Sequence, residues 1–221
     1  NYSQCFRELV AVTRRQQKHR PYTGDARTAY RKSKLNMMLQ KMEKQFLFGE
    51  RYVDNATGDT PTTATRGITN FITQTAAAGG NFTESWFGRN VLKNVFNYGS
   101  DEKIAFCSDL GVQLISEWGI NRLRGAEADE ERLGLKGLKA YESAHGRLLI
   151  KRHRLLRNTT PNGYVVIVDP NHFRLAVMEP LHLETDLEYG NQHKKVDEWV
   201  ADCGPDFDVA KAHYLVTGAT G

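Results

Sequence analysis

The clearest pattern near the start of the chain is an alternation of apolar and polar residues over Cys5–Thr13. It places Phe6, Val10 and Val12 on one face, which predicts a half-buried β-strand. A basic run of Arg, Lys and His follows over residues 14–20. Runs of like charge are usually solvated, so we expect a loop there in preference to a binding patch.

Apolar residues then recur every three or four positions, and this spacing predicts one long helix between Asp25 and Gly49. Asp25 is a suitable N-cap, because its carboxylate accepts hydrogen bonds from free backbone amides and suits the positive end of the helix dipole. Gly49 marks the expected end. The apolar stripe consists of Leu35, Met38, Leu39, Met42 and Phe46. We interpret it as core packing in preference to a ligand pocket.

A second group of elements is predicted in the middle of the chain. Thr83 and Ser108 are N-cap residues for two helices, and Gly119 is expected to end the second one. A turn at Asp101–Lys103 and a short strand over Ile104–Cys107 lie between the helices. Helix, strand and helix with short connections predict a compact α+β unit. The inward-facing residues are expected to be Phe87, Val91, Leu92, Val95, Phe96, Leu110, Leu114, Ile115 and Trp118.

Two stretches lack a clear period. Between Val53 and Gly80, the stretch Asn55–Thr65 is rich in turn formers and short polar side chains, and it predicts a loop or an extended excursion. A short apolar interruption follows at Thr65–Ile72. The segment Arg122–Lys139 is highly charged and predicts an exposed loop or insertion.

The last third of the chain carries a series of strand signals. A basic segment, Arg147–Leu156, and an apolar run, Gly163–Pro170, precede a surface-like segment, Asn171–Leu181. Two alternating segments follow, Lys195–Asp202 and Ala210–Thr217. Their alternation predicts a pair of half-buried strands.

Composition narrows the class of protein only moderately. The chain has 221 residues, of which 40% are hydrophobic and 25% charged, so it can bury an ordinary globular core. Its net charge of +4 permits contact with nucleic acid but does not demand it. Scattered cysteines without a CxxC pair argue against a disulfide framework or a zinc site. Without a membrane-length apolar run or a signal peptide, a soluble intracellular product is expected.

No motif for catalysis emerges, and we predict no catalytic, cofactor-binding or metal-ligating residue. The chain lacks an HExxH pattern, a Gly-x-Ser-x-Gly elbow and a Walker-type phosphate loop. Val216–Gly221 looks like the start of a dinucleotide phosphate loop, but such a loop needs a following helix, so no dinucleotide binding is expected. Acidic residues near the C-terminus are interpreted as solubilising strand faces. These are Asp186, Glu188, Asp197, Glu198, Asp202, Asp206 and Asp208.

The order of these segments resembles that of the major capsid proteins of tailed bacteriophages, which have the Hong Kong 97-type (Johnson) fold. The first strand and the long helix look like the first strand and spine helix of the capsid protein's peripheral domain. The segment Thr83–Gly119 resembles the helix, strand and helix of its axial domain, which Ala144–Arg147 and Val168–Pro170 would close. Lys194–Cys203 and Asp208–Thr217 look like paired strands that return to the peripheral domain.

The resemblance implies an α+β fold with a long spine helix, a peripheral domain with long antiparallel strands and a mixed α/β axial domain. The implied peripheral domain comprises residues 1–80 and 183–221, and the axial domain residues 81–182. The family's N-terminal arm and extended loop would lie upstream of Asn1, so we expect this chain to lack them. The implied function is structural, without catalysis or a cofactor. The protein would be a subunit of the icosahedral head shell that encloses the double-stranded DNA genome of a tailed phage.

The implied partners are other copies of the chain, arranged as pentamers and hexamers, together with scaffolding, portal and decoration proteins. Non-specific contact with packaged DNA is also implied, and no membrane. The expected location is the virion, after assembly in the cytoplasm of the bacterial host. Arg27, Arg31 and Lys34 on the long helix are the candidates for contact with a neighbouring subunit or with DNA.

Two other functions stay open at this point. A nucleic-acid-binding protein would use the basic region Arg14–Lys34 and would bind DNA tightly and with strong salt dependence as a monomer. A metal-dependent enzyme would use His182, Glu184 and neighbouring acids, and would hold stoichiometric metal. The capsid interpretation instead predicts weak DNA binding, no bound metal and concentration-dependent association.

Overall fold

The computed structural model describes residues 1–18, 25–54, 62–80, 82–123, 140–157, 163–187 and 194–219. The chain forms two compact units, the first of Asn1–Asn70 with Leu175–Asp206 and the second of Phe71–Arg174 with Phe207–Gly221. In chain order the elements are β1 (Gln4–Thr13), α1 (Arg14–Lys18), α2 (Ala26–Phe48), β2 (Tyr52–Asp54), β3 (Thr62–Ala64), α3 (Ile68–Phe71), β4 (Thr75–Ala77), α4 (Glu84–Phe87, continued by a π-helical turn at Gly88–Leu92 and by Lys93–Val95), β5 (Glu102–Cys107), α5 (Asp109–Leu123), β6 (Ala140–Ser143), β7 (Gly146–Arg152), β8 (Val165–Val168), β9 (Phe173–Leu187), β10 (Lys194–Phe207) and β11 (Tyr214–Thr217). Short 3₁₀ turns lie at Arg154–Arg157, Pro170–His172 and Ala210–Ala212.

The first unit contains a three-stranded sheet in the order β1-β10-β9, and helix α2 packs against it. Strands β1 and β10 are antiparallel, with Gln4 opposite Cys203 and Thr13 opposite Lys194. The predicted alternation in β1 is confirmed, because Phe6, Val10 and Val12 are all buried. This side of the sheet and the helix share a small core of Phe6, Met38, Met42, Ala201 and Cys203, with Phe46 and Trp199 packed against it.

Both predicted ends of helix α2 are confirmed. The Asp25 carboxylate accepts hydrogen bonds from the backbone N–H groups of Arg27 and Thr28, at 3.4 and 3.2 Å. Gly49 follows the last helical residue, and its position excludes a side chain. A Cβ there would lie 2.5 Å from the Gln45 carbonyl oxygen and 2.6 Å from that of Thr65. Glycine is therefore required by close backbone approach.

The predicted apolar stripe of α2 is wrong at one position, Leu39. Leu39 is 43% exposed, whereas Met38 and Met42 are buried, and Leu47 is buried near the end of the helix. Successive helical residues lie about 100° apart, so a narrow sheet covers Met38 but leaves its neighbour Leu39 in solvent.

The second unit contains a six-stranded sheet in the order β4-β11-β8-β5-β7-β6. Strand β5 runs parallel to β7 and antiparallel to β8. Every residue of β8 is buried, as expected for a strand covered on both faces. Helices α4 and α5 supply apolar residues to the core of this unit. Its buried members include Phe82, Phe87, Val91, Leu92, Val95, Ala105, Ile115, Leu148, Val165 and Ile167.

Helix α4 begins as predicted, because the Thr83 hydroxyl accepts a hydrogen bond from the Trp86 N–H at 3.3 Å. Its middle turn is π-helical, and three bonds to carbonyls stabilise that irregularity. The side-chain amide groups of Asn90 and Asn94 donate to the backbone carbonyls of Trp86 and Asn90, respectively. The Tyr214 hydroxyl also donates to the Asn90 carbonyl. The wider turn keeps the predicted residues Phe87, Val91, Leu92 and Val95 inward, while Phe96 is half-buried.

The predicted pairing of the last two strands is wrong. Strand β10 pairs with β1 in the first unit, whereas β11 lies between β4 and β8 in the sheet of the second unit. Tyr214, Leu215 and Val216 are all buried, so β11 is covered on both faces. An apolar run of this kind suits a central strand better than the half-buried strand that was predicted.

Other expectations need smaller corrections. Helix α5 continues past Gly119 to Leu123, because a glycine inside a helix costs only about 1 kcal/mol and does not force an end. The basic run opens with the short helix α1, whose start is capped by Thr13 and Gln16 through reciprocal hydrogen bonds. Between Val53 and Gly80, the described residues form β2, β3, α3 and β4. Most of the predicted loop Arg122–Lys139 lies outside the described residues.

Candidate interaction surfaces

Two buried carboxylates hold helix α2 to the sheet of the first unit. The first is Asp197 on β10, which is 1% exposed although the sequence analysis assigned it to a solubilising face. Arg27 reaches it with both Nε and Nη2, and its Nε lies 2.7 Å from Oδ2. Arg31 Nε donates to the same oxygen at 2.9 Å. Burial alone would raise the pKa of Asp197, but the two guanidinium groups outweigh it and hold that pKa well below its ordinary value.

The cluster around Asp197 extends to the end of β9. Arg27 Nη2 also donates to Asp186 Oδ1 at 2.9 Å, and the Asp186 backbone N–H donates to Asp197 Oδ1 at 3.1 Å. Asp186 has a φ of 55°, a left-handed conformation that Asp tolerates better than most residues. The hydrogen bond that Asp197 accepts and the one that Arg27 donates therefore hold the end of this strand in a left-handed backbone conformation.

The second carboxylate is Glu8 on β1, which is 8% exposed. Lys34 Nζ donates to its Oε1 at 2.8 Å, and Lys41 donates to its Oε2. These two lysine hydrogen bonds lower the pKa of Glu8. The alternation Phe6, Glu8, Val10 already placed this residue on the buried face of β1, so the sequence contained a signal for it.

The structure therefore gives all three candidate contact residues partners inside the first unit. Arg27 and Arg31 meet at Asp197, and Lys34 meets Glu8. Their side chains stay 16%, 25% and 33% exposed. Their contact with DNA or a neighbouring subunit stays a prediction, and their observed ion pairs give them a role in fixing α2 to the sheet.

An exposed apolar surface lies on β9, which we call the β9 surface and define as Leu175, Val177, Met178 and Leu181. These side chains are 49%, 53%, 79% and 40% exposed. Leu175, Val177 and Leu181 point to one face of the strand and Met178 to the other, so both faces are open. Strand β9 is at the edge of its sheet, and no strand of the described residues pairs with its outer side.

His182 on β9 lies close to two carboxylates of the same strand. Its Nε2 lies 3.6 Å from Glu179 Oε1 and 3.7 Å from Glu184 Oε1. Contact with the Pro180 carbonyl, followed by the two carboxylates, raises the pKa of His182. Within the described ranges, no group of three or more His, Cys, Asp or Glu side chains is placed to hold a metal ion.

The second unit contains a fully buried ion pair that the sequence analysis missed. Lys103, predicted in a turn, lies in β5, and both it and Asp169 are 0% exposed. Lys103 Nζ lies 2.9 Å from Asp169 Oδ2 and 2.9 Å from the Tyr98 carbonyl oxygen. Burial opposes the charge on Asp169, but hydrogen bonds from Ser100, Lys103 and Asn171 outweigh it and lower the pKa to about 2.

No helix in the described part of the chain is long and apolar enough to cross a membrane. The family model described as "SU10 major capsid protein" matches residues 1–220. The chain belongs to this family. This capsid protein is therefore a structural subunit of a viral shell, and its place is the capsid of the virion. No curated protein sequence matches the chain.

Solved structures show the same fold at low sequence identity. The holo-SrpI encapsulin complex from Synechococcus elongatus PCC 7942 matches with a TM-score of 0.65 at 10% identity, over 99% of this chain and 74% of that one. The capsid of Myoviridae phage XM1 matches with a TM-score of 0.65 at 13% identity, over 98% and 73%. Mycobacterium phage Che8 matches with a TM-score of 0.65 at 12% identity, over 99% and 72%.

These comparisons confirm three predictions for the capsid protein, namely the family, the mixed α+β Hong Kong 97-type fold and the structural role in a shell. They also support self-association, since the matching phage structures are capsids. Nothing in them supports the alternative of a dedicated nucleic-acid-binding protein.

Proposed function

We propose that this capsid protein assembles into pentamers and hexamers through the β9 surface, and that these rings close into an icosahedral shell around double-stranded DNA. The observation that carries the proposal is a long edge strand with apolar side chains exposed on both faces. Soluble monomers rarely leave such a strand uncovered, because it offers both apolar area and free backbone groups to another chain.

The size of this surface suits a repeated contact. Burying the exposed part of its four side chains is worth about 1 kcal/mol for each, or about 4 kcal/mol in all. A single contact of that strength is weak, but a closed shell repeats it in every subunit, so the whole assembly is stable through avidity. The proposed partner is therefore a second copy of the chain.

The test compares two charge-introducing variants of the complete shell-forming product. Val177→Asp with Met178→Asp places carboxylates on the β9 surface, and Leu39→Asp places one at an exposed apolar position of α2. Sedimentation and electron microscopy are expected to show rings or shells for Leu39→Asp and only small species for the β9 variant. Shells of normal size from the β9 variant would contradict the proposal.

We also propose that Arg27, Arg31 and Lys34 act first within the first unit and contact packaged DNA or a neighbouring subunit only through their exposed portions. The charges support this order, because Arg27 and Arg31 face Asp197 and Asp186, and Lys34 shares Glu8 with Lys41. Replacement of all three by alanine is expected to lower the stability of the first unit. If particles formed by this variant package a normal length of DNA, the proposed DNA contact is wrong.

The remaining roles follow the family's organisation. We propose the first unit as the peripheral domain and the second as the axial domain, with assembly in the bacterial cytoplasm. Scaffolding, portal and decoration proteins would be the other partners. If purified subunits form rings in the absence of scaffolding, portal and decoration proteins, self-association alone is sufficient for ring formation.

A further inference from the structure

His213 lies at a buried corner of the second unit, immediately before β11, and is 0% exposed. Its Nδ1 accepts a hydrogen bond from the backbone N–H of Asp169, with 3.2 Å between the two nitrogens. A backbone N–H can only donate, so Nδ1 carries no proton and the ring is neutral. Its Nε2 is also buried and makes no hydrogen bond of ordinary geometry to any residue that the structure describes.

The surroundings of the ring disfavour a positive charge. Among the described residues, the ionisable groups that face it are Lys103 from β5, Asp169 after β8 and His172 from the 3₁₀ turn. Lys103 Nζ donates to the carbonyl of Ala212, the residue before His213, at 3.1 Å.

Aromatic rings cover the remaining sides of His213. The centroids of Phe71 and Phe207 lie 6.3 and 6.1 Å from that of the imidazole. Burial, reinforced by the charge on Lys103, lowers the pKa of His213 to about 4, although Asp169 acts in the opposite direction.

We propose that His213 is an acid-sensitive latch, whose protonation breaks the bond to Asp169 and opens the corner between β8 and β11 in the second unit. A protonated Nδ1 would point its N–H at the Asp169 N–H, donor against donor. It would also place a second cation beside the buried Lys103 ammonium. The ring must therefore leave this corner to hold a proton.

The direction and pH range follow from linkage. The pKa of His213 is lowered from 6.5 to about 4, so the open form binds more protons between these values. The closed corner is fully stable above pH 6.5 and loses stability as the pH falls toward 4. At pH 5 the opening equilibrium constant is expected to be about 20-fold larger than at pH 7. Asp197 and Glu8 contribute little there, since their ordinary pKa values of 3.8 and 4.5 lie below pH 5 and both are lowered further in the first unit.

The experiment uses the full chain and follows the Asp169 amide by hydrogen exchange between pH 7 and 5, corrected for the intrinsic rate. The protection factor is expected to fall about 20-fold. In His213→Asn, the side-chain oxygen can take the place of Nδ1 but does not titrate, so this fall should disappear. The control His172→Asn removes a neighbouring histidine and should show the same fall in protection as the unaltered chain.

A second measurement on the unaltered chain keeps the proposal testable if His213→Asn does not fold. Nitrogen NMR of the imidazole is expected to show Nδ1 unprotonated and a midpoint below pH 5. A His213 ring that titrates at pH 6 or above while folded would overturn the latch. Unchanged Asp169 protection at pH 5, or a fall that persists in His213→Asn, would overturn it as well.

Discussion

The two units of this capsid protein solve the problem of buried charge differently. In the first unit, Asp197 and Glu8 lie beneath α2, but the cations that neutralise them stay partly in solvent. In the second unit, Lys103 and Asp169 are both completely buried, and backbone groups satisfy the rest of their hydrogen bonds. The ion pairs of the first unit can separate one at a time, because their cations can return to water. The buried pair of the second unit cannot separate in this way.

The two units also differ in how much apolar surface they bury and how much they leave exposed. The core of the first unit is small, and the β9 surface leaves its four apolar side chains exposed. The second unit places β5, β8 and β11 inside a sheet with an extensive core. The first unit is therefore expected to gain most of its stability from assembly, and the second from its own folding. Tryptophan reports on each, since Trp199 lies in the first unit and Trp86 and Trp118 in the second.

The largest effect is expected from Lys103→Met. It leaves the Asp169 carboxylate buried without its cation, a change that typically costs about 3–5 kcal/mol of unfolding free energy. Denaturant unfolding followed through Trp86 and Trp118 should show this loss. The double variant Lys103→Met with Asp169→Leu should recover part of it, because no unpaired charge remains. A loss below 1 kcal/mol in the single variant would contradict the contrast between the units.

Asp197→Asn is expected to have a smaller effect of about 2–3 kcal/mol on the first unit, because Arg27 and Arg31 can turn toward solvent when the charge is lost. Trp199 is the reporter, since its Nε1 donates to the Arg31 carbonyl at 3.1 Å. The neighbouring change Glu198→Gln serves as the control and should stay within about 0.5 kcal/mol.

The same carboxylate has a defined dependence on pH. The pKa of Asp197 is lowered from 3.8, so its contribution is complete above that value and declines as the pH falls below it. The stability difference between the original chain and Asp197→Asn should shrink accordingly in acid. A difference that stays constant down to pH 2 would mean that the ion pair is not its cause.

The smallest effect is expected from Thr83→Ala, which removes the cap of α4 and should cost about 1 kcal/mol. Fluorescence of Trp86 and Trp118 during denaturant unfolding measures it. Ser85→Ala, in the same first turn but without the cap hydrogen bond, is the matched control. Equal losses in the two variants would show that the hydroxyl of Thr83 has no special role.

Local signals in the sequence predicted much of this fold. The alternation of Phe6, Val10 and Val12 and the caps Asp25 and Thr83 each depend on residues a few positions apart. The order of segments was sufficient to identify the family resemblance. These features are determined by local backbone geometry, so the sequence shows them directly.

The features that sequence reasoning missed depend on distant partners. Lys103 is buried because Asp169 lies opposite it, 66 positions away in the chain. Asp197 meets Arg27 across 170 positions, and β11 pairs with β4 and β8 instead of β10. From the sequence alone, a charged residue in an alternating segment is assigned to the solvent-exposed face, because its distant partner is not known. The β9 surface was predicted only as a surface-like segment, without its role as an open strand edge.

The open edge of β9 has a consequence for the subunit before it assembles. A long strand with exposed apolar side chains can also stack on the wrong chain and seed an aggregate. The sequence limits this hazard near the middle of β9, because Pro180 has no N–H to donate, and Glu179 and Glu184 add charge around it. We therefore expect the proposed assembly through this edge to compete with aggregation while the newly made subunit is still unassembled.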